Sequence, residues 1–319
     1  MVVSFTPAGT VLTGAALDIR KTFDCGQCFR FAPDGGGYTG VAFGRVLHVT
    51  QDGGSIMLHG VDRAAYEAVW ADYFDLARDY EALSDAFCGD EALRTAYAFS
   101  RGIRILAQDP WETLCSFILS QNNNIPRIRK IIASLCERFG APIAGTPFYA
   151  FPTAERLAEA GMEGLAEIRC GFRAKYVADA AARVASGALD LEALRKQSYE
   201  TAKAALMTVY GVGAKVADCV LLFSLGFYEA FPVDVWVKRS SPNTTARALT
   251  AGASALTRAS RSNIYSITSG RSAAAEGSVL PFQRMVSTPS LTVTAAGAPV
   301  NALLTPSGHA GVSVASFSG

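Results

Sequence analysis

A lysine at the start of a predicted helix, Lys215, is the side chain of this sequence best placed for nucleophilic chemistry. It lies in the first helical turn, directly after the sharp turn at residues 211–213. The helix dipole disfavours a cation there, and the apolar neighbours Val212, Val216 and Val220 add a desolvation cost, so the uncharged amine is favoured. A neutral amine can attack a sugar carbon and form a Schiff base. The alternative is a solvated surface lysine without a chemical role.

Two neighbouring features could take part in the same chemistry. Asp234 lies within the apolar segment FPVDVW, where a carboxylate could accept a proton or stabilise a positively charged sugar. It could equally be a helix N-cap. Gly211, Val212 and Gly213 form a turn whose amides, with the N-terminus of the next helix, suit a DNA phosphate. The alternative for that turn is an ordinary corner between two helices.

The elements that must position these residues change character along the chain. Between residues 27 and 60, the segments QCFRFAP, GYTGVAF, RVLHVTQ and SIMLHG predict short antiparallel strands separated by glycine-rich turns. From Asp62 onward, apolar residues recur at helical spacing. Asp109 and Pro110 mark the start of one helix. The predicted helices then cover about 125–139, 154–159, 174–186, 191–195, 199–209 and 214–225. Strands followed by helices indicate an α+β chain.

Composition excludes several classes of protein. Half of the 319 residues are hydrophobic and only 18% are charged, so we expect a packed core. There are 29 basic and 28 acidic residues, so any affinity for nucleic acid must come from a local patch. The seven cysteines are widely spread, which favours a reducing compartment over a disulfide scaffold. Neither a secretory signal nor an 18-residue apolar run is visible, so we predict a cytoplasmic protein without a membrane anchor.

The chain changes abruptly after Arg239. The following residues contain five arginines, one acidic residue, Glu276, and no lysine, and more than half are Ser, Thr, Ala or Gly. Their apolar residues are too scattered to offset the entropy of ordering. We therefore predict a low-complexity, disordered tail over 240–319, whose sequence is unrelated to the preceding part or out of frame with it.

The segment GVGAKVADC, followed by FPVDV, resembles the helix–hairpin–helix DNA glycosylases that carry the Gly/Pro…Asp motif. The further segments DPWETLCSFILSQNNNIPRI, GFRAKYV and GQCFRF are similar, in the same order, to the 8-oxoguanine DNA glycosylase/AP lyase branch. The resemblance covers roughly residues 20–239. It implies an N-terminal β-rich domain over 1–105 and a helix–hairpin–helix catalytic domain over 106–239, C-terminally incomplete because no counterpart of the closing helices follows.

The resemblance also implies a role for individual residues. Lys215 would attack C1′ of the damaged nucleotide and Asp234 would stabilise the sugar, after the base has been flipped out of the duplex. The pocket for the damaged base would contain the residues Gly26, Cys219 and Phe223. The orphan cytosine would be contacted by Asn122, Arg127, Phe172 and Arg173. Read without the resemblance, these residues are a turn, core positions and a polar loop.

The function that follows is removal of 8-oxoguanine from duplex DNA, with strand cleavage by β-elimination, in base-excision repair. A related glycosylase with another base preference, and an inactive DNA-binding remnant that lacks the closing helices, remain as alternatives. No cysteine follows Cys219, and Cys25 and Cys28 have no second pair at zinc spacing. We therefore expect neither an iron–sulfur cluster nor any other cofactor or metal. The expected partner is double-stranded DNA containing oxidised guanine, bound by a monomer.

Overall fold

The structure is a computed structural model and describes residues 1–80, residue 82 and residues 97–233. Asp234 and the predicted tail over 240–319 therefore lie outside the described residues. Within the described part, an antiparallel sheet is followed by a helical half. The α+β fold class predicted from the sequence is confirmed for this part of the chain.

The N-terminal half is built on a six-stranded antiparallel sheet with the order β1-β2-β6-β5-β4-β3. One face of the sheet is buried, as the alternation in the strands requires, and its core includes Trp70, Tyr73 and Phe74 from the segment that follows. The strands are β1 (Val2–Thr6), β2 (Gly9–Thr13), β3 (Ala32–Asp34), β4 (Gly37–Ala42), β5 (Arg45–Asp52) and β6 (Ser55–His59).

Two features of the sheet differ from the prediction. The strands β1 and β2 were not predicted, although β1 shows the exposed-and-covered alternation of an edge strand. Conversely, the strand expected over 27–33 is reduced to β3, which begins only at Ala32. Residue Gln27 explains the difference, because its buried side chain is bonded to the segments around Thr22 and Arg104 instead of facing a neighbouring strand.

The helical half agrees more closely with the sequence. Asp109 and Asn124 accept hydrogen bonds from the backbone as N-caps of two helices, and the second of these ends before Gly140, as predicted. The helices are α1 (Ile19–Asp24), α2 (Arg63–Ala65), a π-helical turn (Tyr66–Trp70), α3 (Ala71–Tyr73), α4 (Pro110–Ser120), α5 (Ile125–Phe139), α6 (Ala154–Glu167), a 3-10 turn (Gly171–Arg173), α7 (Ala174–Ala185), α8 (Leu191–Leu194), α9 (Tyr199–Leu206) and α10 (Ala214–Ser224).

The largest differences among the helices concern α6 and α9. The helix α6 continues to Glu167, eight residues beyond the prediction, and is kinked at Gly161, whose φ of 58° is not helical. The helix α9 ends at Leu206, earlier than predicted, which leaves a short segment that leads into the turn at Gly211. The helices α9 and α10, joined by this segment and turn, form the expected helix–hairpin–helix.

Two hydrophobic cores position the functional residues. One lies under the sheet, and the other lies among the helices. Phe29, from the segment before β3, belongs to the helical core and not to the sheet core. The polypeptide between α1 and β3 therefore connects the two halves of the molecule.

Candidate functional site

Lys215 is the second residue of α10, at the end of the hairpin. Gly213 precedes the helix with an extended backbone (φ −98°, ψ 178°), and no side chain caps the helix start. The Lys215 side chain is half-buried, and the neighbours Val212, Val216 and Val220 are all buried. The apolar surroundings expected from the sequence are therefore present, and the amides at the start of α10 remain available to an anion.

An aromatic cluster lies beneath the lysine. The Nζ of Lys215 is 5.6 Å from the centroid of the Phe117 ring. Phe117 stacks on Phe223, with centroids 5.6 Å apart and planes inclined by 17°, and meets the edge of Phe29 at 5.7 Å. The structure thus brings Phe223, a predicted pocket residue, close to the predicted nucleophile.

Phe117 was not identified from the sequence. The predicted apolar face of α4 contained other residues, such as Leu114 and Ile118, whereas Phe117 lies outside that face. The available signal was that α4 is hydrophobic almost all round, which is typical of a helix buried on several sides. In the structure, the second apolar face of α4 packs against α10.

The loop containing Gly26 is connected to the same region by side-chain amides. Gly26 has φ of 88°, in the left-handed region that favours glycine. The side-chain Oε1 of the next residue, Gln27, accepts from the backbone amide of Leu106 at 2.9 Å. The backbone carbonyl of Gln27 accepts from Nε2 of Gln108 at 2.8 Å. The backbone amide of Gln108 in turn donates to the carbonyl of Phe223 at 2.8 Å. Gln27 and Gln108 therefore connect the Gly26 loop with α10.

A buried ion pair anchors this loop to α4. Arg30 Nη1 donates to Oε2 of Glu112 at 3.2 Å, and the side chains are only 9% and 15% exposed. The Nη2 of Arg30 donates to the carbonyl of Tyr149. Burial raises the pKa of Glu112 to about 7, and the charge of Arg30 opposes this shift. Keeping the Glu112 carboxylate charged therefore costs free energy, which the ion pair with Arg30 partly offsets.

Three cysteines of the region, Cys25, Cys28 and Cys219, form no disulfide. Cys219, one turn after Lys215 on α10, is 2% exposed. Burial raises the pKa of Cys25 to about 12. A protonated thiol is a poor nucleophile and a poor metal ligand.

Helix α10 is fixed to α9 by a polar network that sequence analysis left without a role. The carboxylate of Asp218, which is 4% exposed, accepts from Tyr199 Oη at 2.7 Å and from Lys203 Nζ at 2.9 Å. Lys203 also donates to Tyr199 Oη at 2.7 Å. Because Asp218 lies between Lys215 and Cys219 on α10, this network sets the position of the helix that carries both.

The residues predicted to contact the orphan base come together at the loop between α4 and α5. Asn122 is exposed and has φ of 47°, which asparagine tolerates better than most residues. Arg127 is exposed, whereas Arg173 is buried at 3% exposure. Phe172 is 49% exposed, and the guanidinium of Arg173 lies 4.5 Å from its ring centroid.

The guanidinium of Arg173 bonds to backbone carbonyls. It donates to Gln121, through Nε at 2.8 Å and through Nη2, to Asn122 at 2.9 Å and to Cys170 at 3.2 Å. Burial lowers the pKa of Arg173, and the like charge of Arg127 lowers it further. In this structure, Arg173 therefore fixes the conformation of the loop that presents Asn122.

Asp234, the carboxylate predicted to act with Lys215, lies outside the described residues. The described chain ends at Val233, and Asp234 follows directly. Pro232, which precedes Val233, is buried.

No helix in the described ranges has the length and apolar character needed to cross a membrane.

The described residues therefore contain a hairpin with a lysine over the Phe117 ring and, on the loop after α4, an asparagine-rich turn held by Arg173. A family model described as HhH-GPD superfamily base excision DNA repair protein matches residues 115–257. A second, described as 8-oxoguanine DNA glycosylase, N-terminal domain, matches residues 11–114. The match to the HhH-GPD model extends past Arg239, after which the tail is predicted to begin.

Known proteins give the same result. An Arabidopsis thaliana protein named N-glycosylase/DNA lyase OGG1 is 34% identical over 73% of this chain and 67% of its own length. The N-glycosylase/DNA lyase of Saccharomyces cerevisiae is 44% identical, but the match spans only 44% of this chain and 41% of the yeast protein. The Clostridium acetobutylicum 8-oxoguanine glycosylase/lyase, solved with double-stranded DNA containing cytosine opposite 8-oxoguanine, superposes with a TM-score of 0.74. That match is 35% identical and covers 80% of this chain and 92% of the other. The chain belongs to the 8-oxoguanine DNA glycosylase family.

Proposed function

We propose that this protein removes 8-oxoguanine from duplex DNA and then cleaves the strand as an AP lyase. The observation that carries the proposal is the half-buried Lys215 over the Phe117 ring, at the start of α10. The flipped base would lie in the pocket formed by Gly26, Cys219 and Phe223. Base flipping costs a few kcal/mol of unstacking, which contacts to the orphan cytosine would offset.

The chemistry requires only side chains of the protein. The Lys215 amine attacks C1′ while the N-glycosidic bond breaks, and one of the two amine protons passes to the departing base. The C1′–O4′ bond then breaks and the remaining amine proton passes to O4′, which gives a Schiff base. Removal of a C2′ proton expels the 3′ phosphate by β-elimination, and water hydrolyses the Schiff base to free the lysine. Asp234 is assigned stabilisation of the positive sugar. No cofactor or metal is needed for any of these steps.

Recognition of the damaged pair is divided between the two sides of the site. On the lesion side, the carbonyl of Gly26 would accept from N7–H of the oxidised base, whereas guanine has an acceptor at N7. On the orphan side, Asn122, Arg127 and Arg173 offer donors that match the acceptors of cytosine, and Phe172 would stack beside it. The protein would act as a monomer bound to DNA.

Borohydride trapping on a duplex with 8-oxoguanine opposite cytosine tests the proposal directly. We expect a covalent complex with the full chain and, for Lys215→Gln, a loss of at least about a thousandfold in the trapping rate. The exposed Lys196 gives a matched control, because Lys196→Gln removes the same charge and should trap like the wild type.

The outcomes separate the alternatives. Trapping that is faster on alkylated purine or oxidised pyrimidine duplexes would overturn the assignment of the lesion. Salt-sensitive binding without any adduct would identify a DNA-binding protein without catalytic activity. An adduct that survives in Lys215→Gln would disprove the assigned nucleophile.

A further inference from the structure

Three aromatic side chains form a continuous ridge beside the candidate site. The ridge consists of Phe172, Tyr176 and Tyr210. Phe172 meets Tyr176 edge to face at 5.8 Å, and Tyr176 meets Tyr210 in the same way at 5.1 Å. Phe172 is 49% and Tyr210 55% exposed, although exposed rings are costly in water unless they have a partner.

The ridge joins the two regions that the proposed function assigns to DNA. Phe172 neighbours Arg173 in the orphan-base site, and Tyr210 directly precedes Gly211 in the hairpin. Gly211 packs so closely on Tyr176 that a Cβ built there would lie 2.5 Å from Cγ of the ring. The position of the ridge is therefore fixed relative to the hairpin.

A lysine lies on the ridge with its charge accessible. The Nζ of Lys175 is 5.4 Å from the Tyr176 centroid, 5.2 Å from that of Tyr210 and 3.5 Å from Tyr210 Oη. The nearby carboxylate of Asp179 instead accepts from the Tyr210 amide and from Arg183, both at 2.8 Å. Over residues 1–80 and 97–233, Lys175 forms no ion pair.

We propose that Lys175 and the Tyr210 hydroxyl bind a backbone phosphate of the duplex, between the orphan-base loop and the hairpin. The two rings hold the ammonium by cation–π contacts, and one N–H points to Tyr210 Oη, so two of its three N–H groups can donate to an anion. The hydroxyl supplies a second donor to the same phosphate. This inference rests on the proposed function for its ligand, but it concerns residues outside the hairpin and the base-contacting set.

The test is the affinity of the full chain for an 8-oxoguanine duplex as a function of salt. Loss of one lysine–phosphate contact should lower the slope of log affinity against log salt by about 0.9. For Lys175→Gln we also expect an affinity about fivefold lower at moderate salt. Lys175→Arg should recover the slope. Tyr210→Phe keeps the ring and should lower affinity about twofold without a change in slope.

Lys196→Gln is the control, because Lys196 lies before the N-terminus of α9, whereas the hairpin follows the C-terminus of α9. Its slope and affinity should equal those of the wild type. A Lys175→Gln slope equal to that of this control would overturn the phosphate site, even where borohydride trapping through Lys215 succeeds. Conversely, a selective loss with Lys175→Gln in a protein that never traps 8-oxoguanine would support the phosphate site and reject the proposed function.

Discussion

The lesion side and the orphan side of the candidate site are held together by different forces. On the proposed lesion side, Lys215 lies over the ring of Phe117, which stacks on Phe223 within the helical core. On the proposed orphan side, a loop with a left-handed residue, Asn122, is held by hydrogen bonds from the side chain of Arg173 to its carbonyls. Packing positions the first, and directional polar bonds position the second.

This difference matters for what each side must do. A nucleophile needs a fixed position near its target atom, and close packing provides it through many weak contacts. A loop that reads an orphan base must present donors to a ligand, and a charged hydrogen-bond donor can change partners during binding. The lesion side should therefore be sensitive to lost volume, and the orphan side to lost hydrogen bonds.

Removal of Phe117 from the aromatic cluster beneath Lys215 should have the largest effect on stability. Phe117→Ala deletes a ring that is 3% exposed and contacts both Phe29 and Phe223, which should lower the free energy of unfolding by about 4 kcal/mol. Urea unfolding measures that loss, and single-turnover trapping measures the effect on Lys215. Phe139→Ala, at the end of α5, is the matched control. A trapping rate no lower than that of this control would contradict the role of the aromatic cluster in positioning Lys215.

Removal of the orphan-side arginine should have a smaller effect on stability and a more specific effect on recognition. Arg173→Met retains the aliphatic bulk but leaves carbonyls of Gln121, Asn122 and Cys170 without their donor. We expect a loss of about 3 kcal/mol in the free energy of unfolding. The preference for cytosine over adenine opposite the lesion should fall as well. If base preference remained intact, Arg173 would have only the structural role.

The ion pair beneath the lesion side should give the smallest effect, visible as a pH dependence. The carboxyl of Glu112 ionises near 4.5 when unfolded, but its pKa is about 7 in the folded protein. The folded state therefore binds the proton more tightly, so stability should fall by about 2 kcal/mol as pH rises from 5 to 8. Glu112→Gln should flatten this fall. The exposed pair Arg138–Glu167 supplies the control, since Glu167→Gln should leave the pH dependence unchanged. If the free energy of unfolding fell equally with pH in both variants, Glu112 would not be the group responsible for the fall.

The sequence predicted what depends on local signals. The start of α10, the cap at Asp109 and the extent of α5 all follow from neighbouring residues, and all agree with the structure. The short strand β3 was mispredicted, because burial of Gln27 depends on partners about eighty residues away.

The roles of the site residues stay predictions, but their positions in the fold can be compared with the sequence. The hairpin and Lys215 are recognisable from spacing, and the resemblance indicated the orphan-side residues. Phe117 was missed because only one apolar face of α4 was predicted, whereas the helix is buried on two faces. The bonds of Arg173 to loop carbonyls also could not be predicted, because backbone acceptors leave no mark on residue types.

The connection through Gln27 and Gln108 has a consequence for variants far from the chemistry. Because these two amides tie the loop after α1 to the carbonyl of Phe223, a shift of α1 against the sheet would be transmitted mechanically to the wall of the base pocket. Substitutions among the buried residues that seat α1 on the sheet should therefore slow turnover by tilting the Phe223 ring, with little change in the affinity for the duplex.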